Sequence, residues 1–215
     1  MENAFKNYNC IGILGGTFNP VHKGHTMLAR EVINQFNDIE QLILMPNNIP
    51  AYKDTDDIIS SYHRINMLML ASDDLPKVSI SDLEIIRGGT TYTIDTLRQI
   101  KAYNQNIKIY FIIGADSLYN IEKWKDYTEI FKNCTILAAK RNCNIEDIKA
   151  FSTGLLEKYP YLNIEFLETE AIDISSSQLR KDIKNGILDK DFLDNNIIDY
   201  IKVNKLYGWK QSYES

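Results

Sequence analysis

Apolar residues along the chain fall into short runs separated by amphipathic stretches of helix length. Residues 9–15 (NCIGILG), 41–46 (QLILMP), 77–85 (KVSISDLEI), 107–114 (IKIYFIIG), 133–140 (NCTILAAK) and 162–168 (LNIEFLE) are rich in Ile, Leu and Val. Runs this short and continuous predict strands buried on both faces. Helical periodicity covers residues 25–36, 61–71, 93–103 and a stretch around 145–158. Strands alternating with helices of roughly 10–15 residues predict βαβ units, and hence a doubly wound α/β fold with a parallel sheet covered on both sides. From Ser175 the pattern turns helical. SSSQLRKDIKNG opens on serines suited to an N-cap and stops at Gly186, and FLDNNIIDYIKVNKLYG predicts a further helix ending near Gly208. The expected organisation is one domain over residues 1–215, with an α/β core over 8–174 and a small C-terminal helical region over 175–210.

Composition narrows the class. A chain of 215 residues with 44% hydrophobic and 25% charged positions can bury a substantial core. Its N-terminus is polar, and no segment approaches the roughly 18–20 consecutive apolar residues of a membrane span, so a cytoplasmic protein is expected, with no membrane partner. Cys10, Cys134 and Cys143 form no CxxC pair, so neither a disulfide framework nor a cysteine zinc site is expected. The net charge of −5 argues against a nucleic-acid surface; any polyanion bound here is small and met by a local cluster of positive groups. Composition leaves open whether the chain is a monomer or a homo-oligomer.

The candidate chemistry begins where the first strand should hand over to the first helix. Residues 15–25, GGTFNPVHKGH, hold two of the chain's three histidines. Ligands of an open parallel sheet bind beyond the carboxyl ends of its strands, where helix N-termini present free N–H groups. Gly15 and Gly16 allow a tight turn and close backbone approach. His22 and His25, three residues apart, fall on one face of the opening helical turn with Gly24 between them. Two imidazoles, Lys23 and backbone N–H groups would form an anion pocket, for which phosphate is the expected occupant. Two other roles stay open on these residues alone: a zinc site, which lacks a third ligand nearby, and a purely structural turn. The connection from residue 47 to 64 has the polarity of a surface loop of binding length.

These motifs resemble a known family. GGTFNPVHKGH resembles the signature of nucleotidyltransferases with an HxGH motif, specifically the bacterial nicotinate-nucleotide adenylyltransferases, whose sheet is Rossmann-like. Asn19 stands where that family usually has Asp, which alters a loop contact. Residues 174–180, ISSSQLR, look like the family's second signature, ISSTxIR. Residues 88–97 (GGTTYTIDTL) and 112–124 (IIGADSLYNIEKW) resemble the segments that receive the pyridine mononucleotide, and residues 46–53 (PNNIPAYK) resemble a PNxxPPHK segment with Tyr52 in place of the usual histidine. Arg64 matches a basic position of the family, and the ending YIKVNKLYG resembles its closing helix. The likeness covers residues 11–208.

The resemblance implies transfer of AMP from ATP to nicotinate mononucleotide, giving deamido-NAD and pyrophosphate in NAD biosynthesis. It assigns catalysis to His22 and His25 at the α-phosphate and to Arg180 at the leaving phosphates. The ATP phosphates would be lined by Gly15, Gly16, Thr17, Phe18, Lys23 and Gly24, and by Ile174, Ser175, Ser176 and Ser177. Nicotinate mononucleotide would meet Asn47, Lys53, Thr91, Tyr92, Thr93, Gly114, Asp116 and Trp124. Thr93 would offer its backbone N–H to the pyridine carboxylate and Trp124 would stack on the ring; a core tryptophan is the competing role. Asp116, at the carboxyl edge of a strand, suits ribose hydroxyls, with magnesium as the competing role. Mg2+ is expected, bound mainly through ATP. Related transferases of phosphopantetheine or cytidylyl groups, a pantothenate synthetase and a non-catalytic nucleotide sensor are the alternatives on the same first motif.

Overall fold

A computed structural model of the chain describes residues 4–52, 55–139, 145–169 and 174–210. A 3-10 turn at Ala4–Asn7 leads into β1 (Cys10–Gly16), α1 (Lys23–Gln35) and β2 (Gln41–Pro46). A short β3 (Ile49–Pro50), α2 (Ser61–Ser72), β4 (Val78–Ile80), α3 (Leu83–Arg87) and β5 (Thr90–Thr91) follow. Next come α4 (Thr93–Tyr103), β6 (Lys108–Gly114), α5 (Ala115–Tyr119), α6 (Tyr127–Asn133), β7 (Thr135–Ala139), α7 (Ile145–Lys158) and β8 (Ile164–Leu167). The chain closes with α8 (Ser176–Lys184), α9 (Asn195–Val203) and a 3-10 turn at Leu206–Gly208. No described helix is long and apolar enough to cross a membrane.

Six strands form one sheet in the order β4-β2-β1-β6-β7-β8, every neighbouring pair parallel. The chain winds outward from β1 in one direction through β2 and β4, then returns to β1's other side and winds away through β6. The strand order therefore reverses between β1 and β6, and a crevice opens beyond the carboxyl ends of these two strands. β3 and β5 pair separately as a two-stranded parallel ribbon.

Each face of the sheet has its own core. On one, Cys10, Leu14, Leu42 and Leu44 pack with Leu28 and Val32 of α1, Met67 and Leu68 of α2, Leu179 and Ile183 of α8, and Ile197 and Ile201 of α9. On the other, Ile11, Ile13, Ile43 and Ile109 meet Ile94 and Leu97 of α4, Leu118 of α5 and Phe131 of α6. Continuous apolar strands were needed because successive side chains enter opposite cores. Gly12 is required by crowding: a Cβ there would stand 2.8 Å from Leu42 Cδ1. Cys10 and Cys134 are buried free thiols. Burial pushes the Cys10 thiol up to about 11 and the Cys134 thiol up to about 12, so both stay protonated at neutral pH. Cys143 lies outside the described residues.

The structure corrects several boundaries. The strand expected over 77–85 ends at Ile80; the Ser81 hydroxyl accepts the Leu83 N–H at 3.3 Å and the chain turns into α3. α3 carries Glu84 into the interior, where its carboxylate accepts the Thr96 hydroxyl at 2.6 Å. The first helix begins at Lys23, two residues earlier than its apolar periodicity marks. The last expected helix is broken after Val203, because Lys205 (φ 50°) and Tyr207 (φ 57°) adopt left-handed backbone that no helix continues through.

Because α8 and α9 share a core with α1 and α2, they should melt with the sheet. Ile201→Ala removes a fully buried side chain and should lower global stability by about 2–5 kcal/mol. Denaturant unfolding followed by circular dichroism should show one shifted transition; a separate early transition confined to the C-terminal helices would contradict this.

Candidate active site

A cleft of about 690 Å³ occupies the crevice beyond β1 and β6. Phe18, Asn19, His25, Ser176, Ser177 and Arg180, linked by the contacts below, line one end and Tyr52, Thr91, Tyr92, Thr93 and Trp124 the other, with Gly15, Gly16, Thr17, Asn47, Gly114 and Asp116 also on the wall. The structure thus brings together most of the residues singled out from the sequence.

The two histidines divide between the wall and its backing. His22 takes the N-cap position of α1 with extended backbone (φ −148°, ψ 168°) and is buried. His25, three residues on, lines the cleft. The His22 backbone N–H donates to His25 Nδ1 at 3.3 Å. An Nδ1 that accepts must carry its proton on Nε2, so in its neutral form His25 is held as the tautomer whose Nε2 is a donor. The imidazole centroids are 3.8 Å apart, and the Phe18 ring meets His25 edge-on at 4.9 Å from beneath. Phe18 reaches that place through a left-handed backbone (φ 49°) and by folding over Gly16, where a Cβ would stand 3.1 Å from the ring. At Gly24 a Cβ would stand 2.9 Å from Ile174 Cγ2 and 3.1 Å from His22 Nδ1. The glycine of HKGH is what lets the segment before α8 close on the first helix.

The start of α8 then locks the histidine loop. The Ser175 hydroxyl accepts the Gln178 N–H at 3.1 Å as N-cap, and the Ser176 hydroxyl donates to the Pro20 carbonyl at 3.1 Å. Arg180 Nη1 donates to the Asn19 carbonyl at 3.0 Å, while Nη2 lies 3.8 Å from the exposed Asp57 carboxylate. A phosphate arriving at Arg180 therefore competes with Asp57. Asn19 uses both ends of its amide: Nδ2 donates to the Asp57 carbonyl at 2.8 Å and Oδ1 accepts the Ile59 N–H at 3.3 Å. A carboxylate could make only the second of these bonds.

Beneath both loops lies Arg64 of α2, 2% exposed. Its guanidinium donates to the Thr17 carbonyl after β1 and to the Asn47 carbonyl after β2, each at 2.8 Å. Nε has no partner among the described residues, and burial lowers the group's pKa from its ordinary value. Asn47 adds a bond from Nδ2 to the Thr17 hydroxyl at 3.2 Å.

At the far end, Thr93 opens α4, whose first N–H groups have no intrahelical acceptor, with Tyr92 as N-cap. Trp124 stands edge-on to Phe111 with centroids 6.2 Å apart, partly packed on the core and partly lining the cleft. Gly114 caps α5, which carries Asp116 in its first turn.

Several expectations are corrected by position. Lys23 faces away from the cleft: its ammonium donates to the Lys190 carbonyl at 2.7 Å, beside a separate concavity of about 380 Å³. One residue past the N-cap, it is turned by about 100° around the helix from His22. Gly24 and Ile174 do not line the cleft, because they are packed against each other behind it. His22 likewise acts from behind His25, and Ser175 is occupied as a cap. Lys53 lies outside the described residues. His63, the third histidine, bonds the Tyr200 hydroxyl at 3.0 Å. The described residues hold no group of three or more His, Cys, Asp or Glu side chains placed to bind a metal. Glu84, Phe111, Ser117 and Lys125, none of them singled out from sequence, also line the cleft. Lys125 adjoins Trp124, and that adjacency was its one available signal.

A family model described as cytidylyltransferase-like matches residues 13–182. A probable nicotinate-nucleotide adenylyltransferase of Lactococcus lactis subsp. lactis is 38% identical over 201 residues, covering 94% of this chain and 96% of its own length. One of Borreliella burgdorferi is 37% identical over 197 residues, covering 92% and 96%. Among solved structures, the Plasmodium falciparum nicotinic acid mononucleotide adenylyltransferase complexed with NaAD superposes with a TM-score of 0.76 at 23% identity, covering 94% of this chain and 99% of that one. That likeness is one of fold. The chain belongs to the cytidylyltransferase-like family and, within it, to the nicotinate-nucleotide adenylyltransferases.

Proposed function

We propose that the protein transfers the AMP moiety of ATP to nicotinate mononucleotide, giving deamido-NAD and pyrophosphate. The observation that carries this is one continuous cleft with a cationic, N–H-rich end at His25 and Arg180 and an aromatic end at Tyr92 and Trp124. A phosphate chain fits the first end and a flat heteroaromatic ring the second. The names of the relatives identify the same chemistry.

In the reaction, an oxygen of the 5′-phosphate of nicotinate mononucleotide attacks the α-phosphorus of ATP. A new P–O bond forms, the bond from the α-phosphorus to the bridging oxygen breaks, and pyrophosphate leaves with that electron pair. The nucleophile is already an anion near neutral pH and needs no general base. The protein's task is to align two mutually repelling anions and to stabilise charge on the equatorial oxygens and the leaving group. His25, with Nε2–H as donor, serves the α-phosphate, and His22 acts by holding that tautomer. Arg180 and Ser177 serve the leaving phosphates. Thr93 N–H receives the pyridine carboxylate, Trp124 packs on the ring, and Asp116 takes ribose hydroxyls.

A magnesium ion takes oxygen ligands. Among the described residues the cleft contributes two carboxylates, Glu84 and Asp116, and Glu84 is buried against Thr96. With Asp116 assigned to the ribose, that donor set fits an ion held mainly by the triphosphate; when bound, the ion would neutralise phosphate charge. A cytoplasmic setting belongs to the same proposal and is supported by the free thiols.

The direct test is pyrophosphate release with ATP and either nicotinate or nicotinamide mononucleotide. Release with the nicotinate substrate is expected, and its absence with both would overturn the proposal. His25→Ala should lower kcat by roughly 10²- to 10³-fold, the scale of losing one transition-state donor. Its melting temperature should stay nearly unchanged; unfolding with unaltered specific activity would make His25 structural. Trp124→Ala should raise KM for the pyridine nucleotide with little change for ATP, and an equal rise for both would remove it from the ring pocket.

A further inference from the structure

A closed circuit of contacts surrounds the aromatic end of the cleft. The loop after β2 is tied to β5 through the β3–β5 pairing and through the Asn48 N–H, which donates to Thr91 Oγ1 at 3.1 Å. β5 runs directly into Tyr92 and α4. In the first turn of α4, Asp95 accepts the Lys125 ammonium at 3.0 Å, and that ammonium lies 4.6 Å from the centre of the Tyr92 ring. The circuit closes back on the loop: the Lys125 backbone N–H donates to the Tyr52 hydroxyl at 3.0 Å, and the Tyr52 ring meets Tyr92 edge-on at 6.3 Å. Tyr52, Tyr92, Trp124 and Lys125 all line the cleft.

The links differ in strength. The β3–β5 link combines main-chain pairing with a side-chain bond. The Lys125 link to α4 combines an ion pair with a cation–π contact. The link through Tyr52 is one neutral hydrogen bond from a side chain 57% exposed, and such a bond contributes about 1 kcal/mol. It is the weakest of the three links. With it made, the segment carrying Trp124 is held across the cleft from the loop carrying Tyr52.

We propose that Tyr52 is a positioning residue for the pyridine mononucleotide. Its hydroxyl is the releasable link that holds the Trp124–Lys125 segment over the bound ring, opening to admit nicotinate mononucleotide and to let the dinucleotide leave. The proposal rests on the assignment of this end of the cleft to the pyridine nucleotide. A phenol hydroxyl reaches farther from the backbone than an imidazole, so this bond follows from the tyrosine that stands where the family usually has histidine.

The test is Tyr52→Phe, which removes the hydroxyl alone. Exchange of the Lys125 amide proton, followed by NMR, should quicken by about two- to fivefold in the variant, and KM for nicotinate mononucleotide should rise by a similar factor, the equivalent of one exposed hydrogen bond. KM for ATP should not move. Unchanged Lys125 exchange, an unchanged KM for nicotinate mononucleotide, or an equal rise for ATP would each overturn the proposal. If the wild-type chain releases no pyrophosphate with nicotinate mononucleotide, the functional assignment fails and with it the role in substrate retention. Lys125 exchange still decides whether the link exists.

Discussion

Two hydrogen bonds from one buried guanidinium hold the cleft's framework together. Arg64 joins the carbonyls of Thr17 and Asn47, the residues that leave the carboxyl ends of β1 and β2. A charge this deep is costly unless it is solvated by the protein, and two carbonyl dipoles 2.8 Å away supply part of that solvation. In return, both peptide planes are fixed. Because the C=O and N–H of a trans peptide point in opposite directions, the Phe18 N–H points away from Arg64 and the Asn48 N–H is aimed at Thr91. Arginine is the residue for this task, since its planar fork reaches two acceptors where an ammonium offers a single point.

Each further part of the site rests on that base. Thr17 leads into Phe18, which supports His25; His25 accepts the His22 N–H and so presents a donor edge; Gly24 admits Ile174, which seats α8 and brings Arg180 to the same loop. Asn47 leads into Asn48 and the β3–β5 ribbon, which positions the start of α4 and the aromatic end of the cleft. The two ends of the cleft are thus set by neighbouring strands of one sheet and tied by one side chain beneath them. The cation's field adds to that of Arg180 at the end proposed for the triphosphate.

The sheet was legible because a strand buried on both faces must be apolar throughout, and each of these runs was bounded by a helix with clear periodicity. α3, α5 and α6 were not, because helices of five to seven residues are too short to show a period. Of the site, His25, Arg180, Thr93 and Trp124 could be read from local motifs, and all of them line the cleft. Lys23 misled because a neighbour in sequence at a helix start is a quarter-turn away in space. The pairing of Asn19 with the loop at Asp57 and of Tyr52 with Lys125 joins residues 38 and 73 positions apart. Neither partner carries a local signal for such a contact. Arg64 was visible as a basic position, but its burial and its two carbonyl acceptors are properties of packing.

The central claim is that a buried guanidinium bridging two strand ends creates the triphosphate site. Arg64→Lys keeps the charge and loses the fork, so steady-state kinetics of this variant measure the claim most directly. kcat/KM for ATP should fall by about 10- to 100-fold, the equivalent of the roughly 1.5–3 kcal/mol of a charge-assisted hydrogen bond. A folded Arg64→Lys protein with unaltered kcat/KM for ATP would contradict the account.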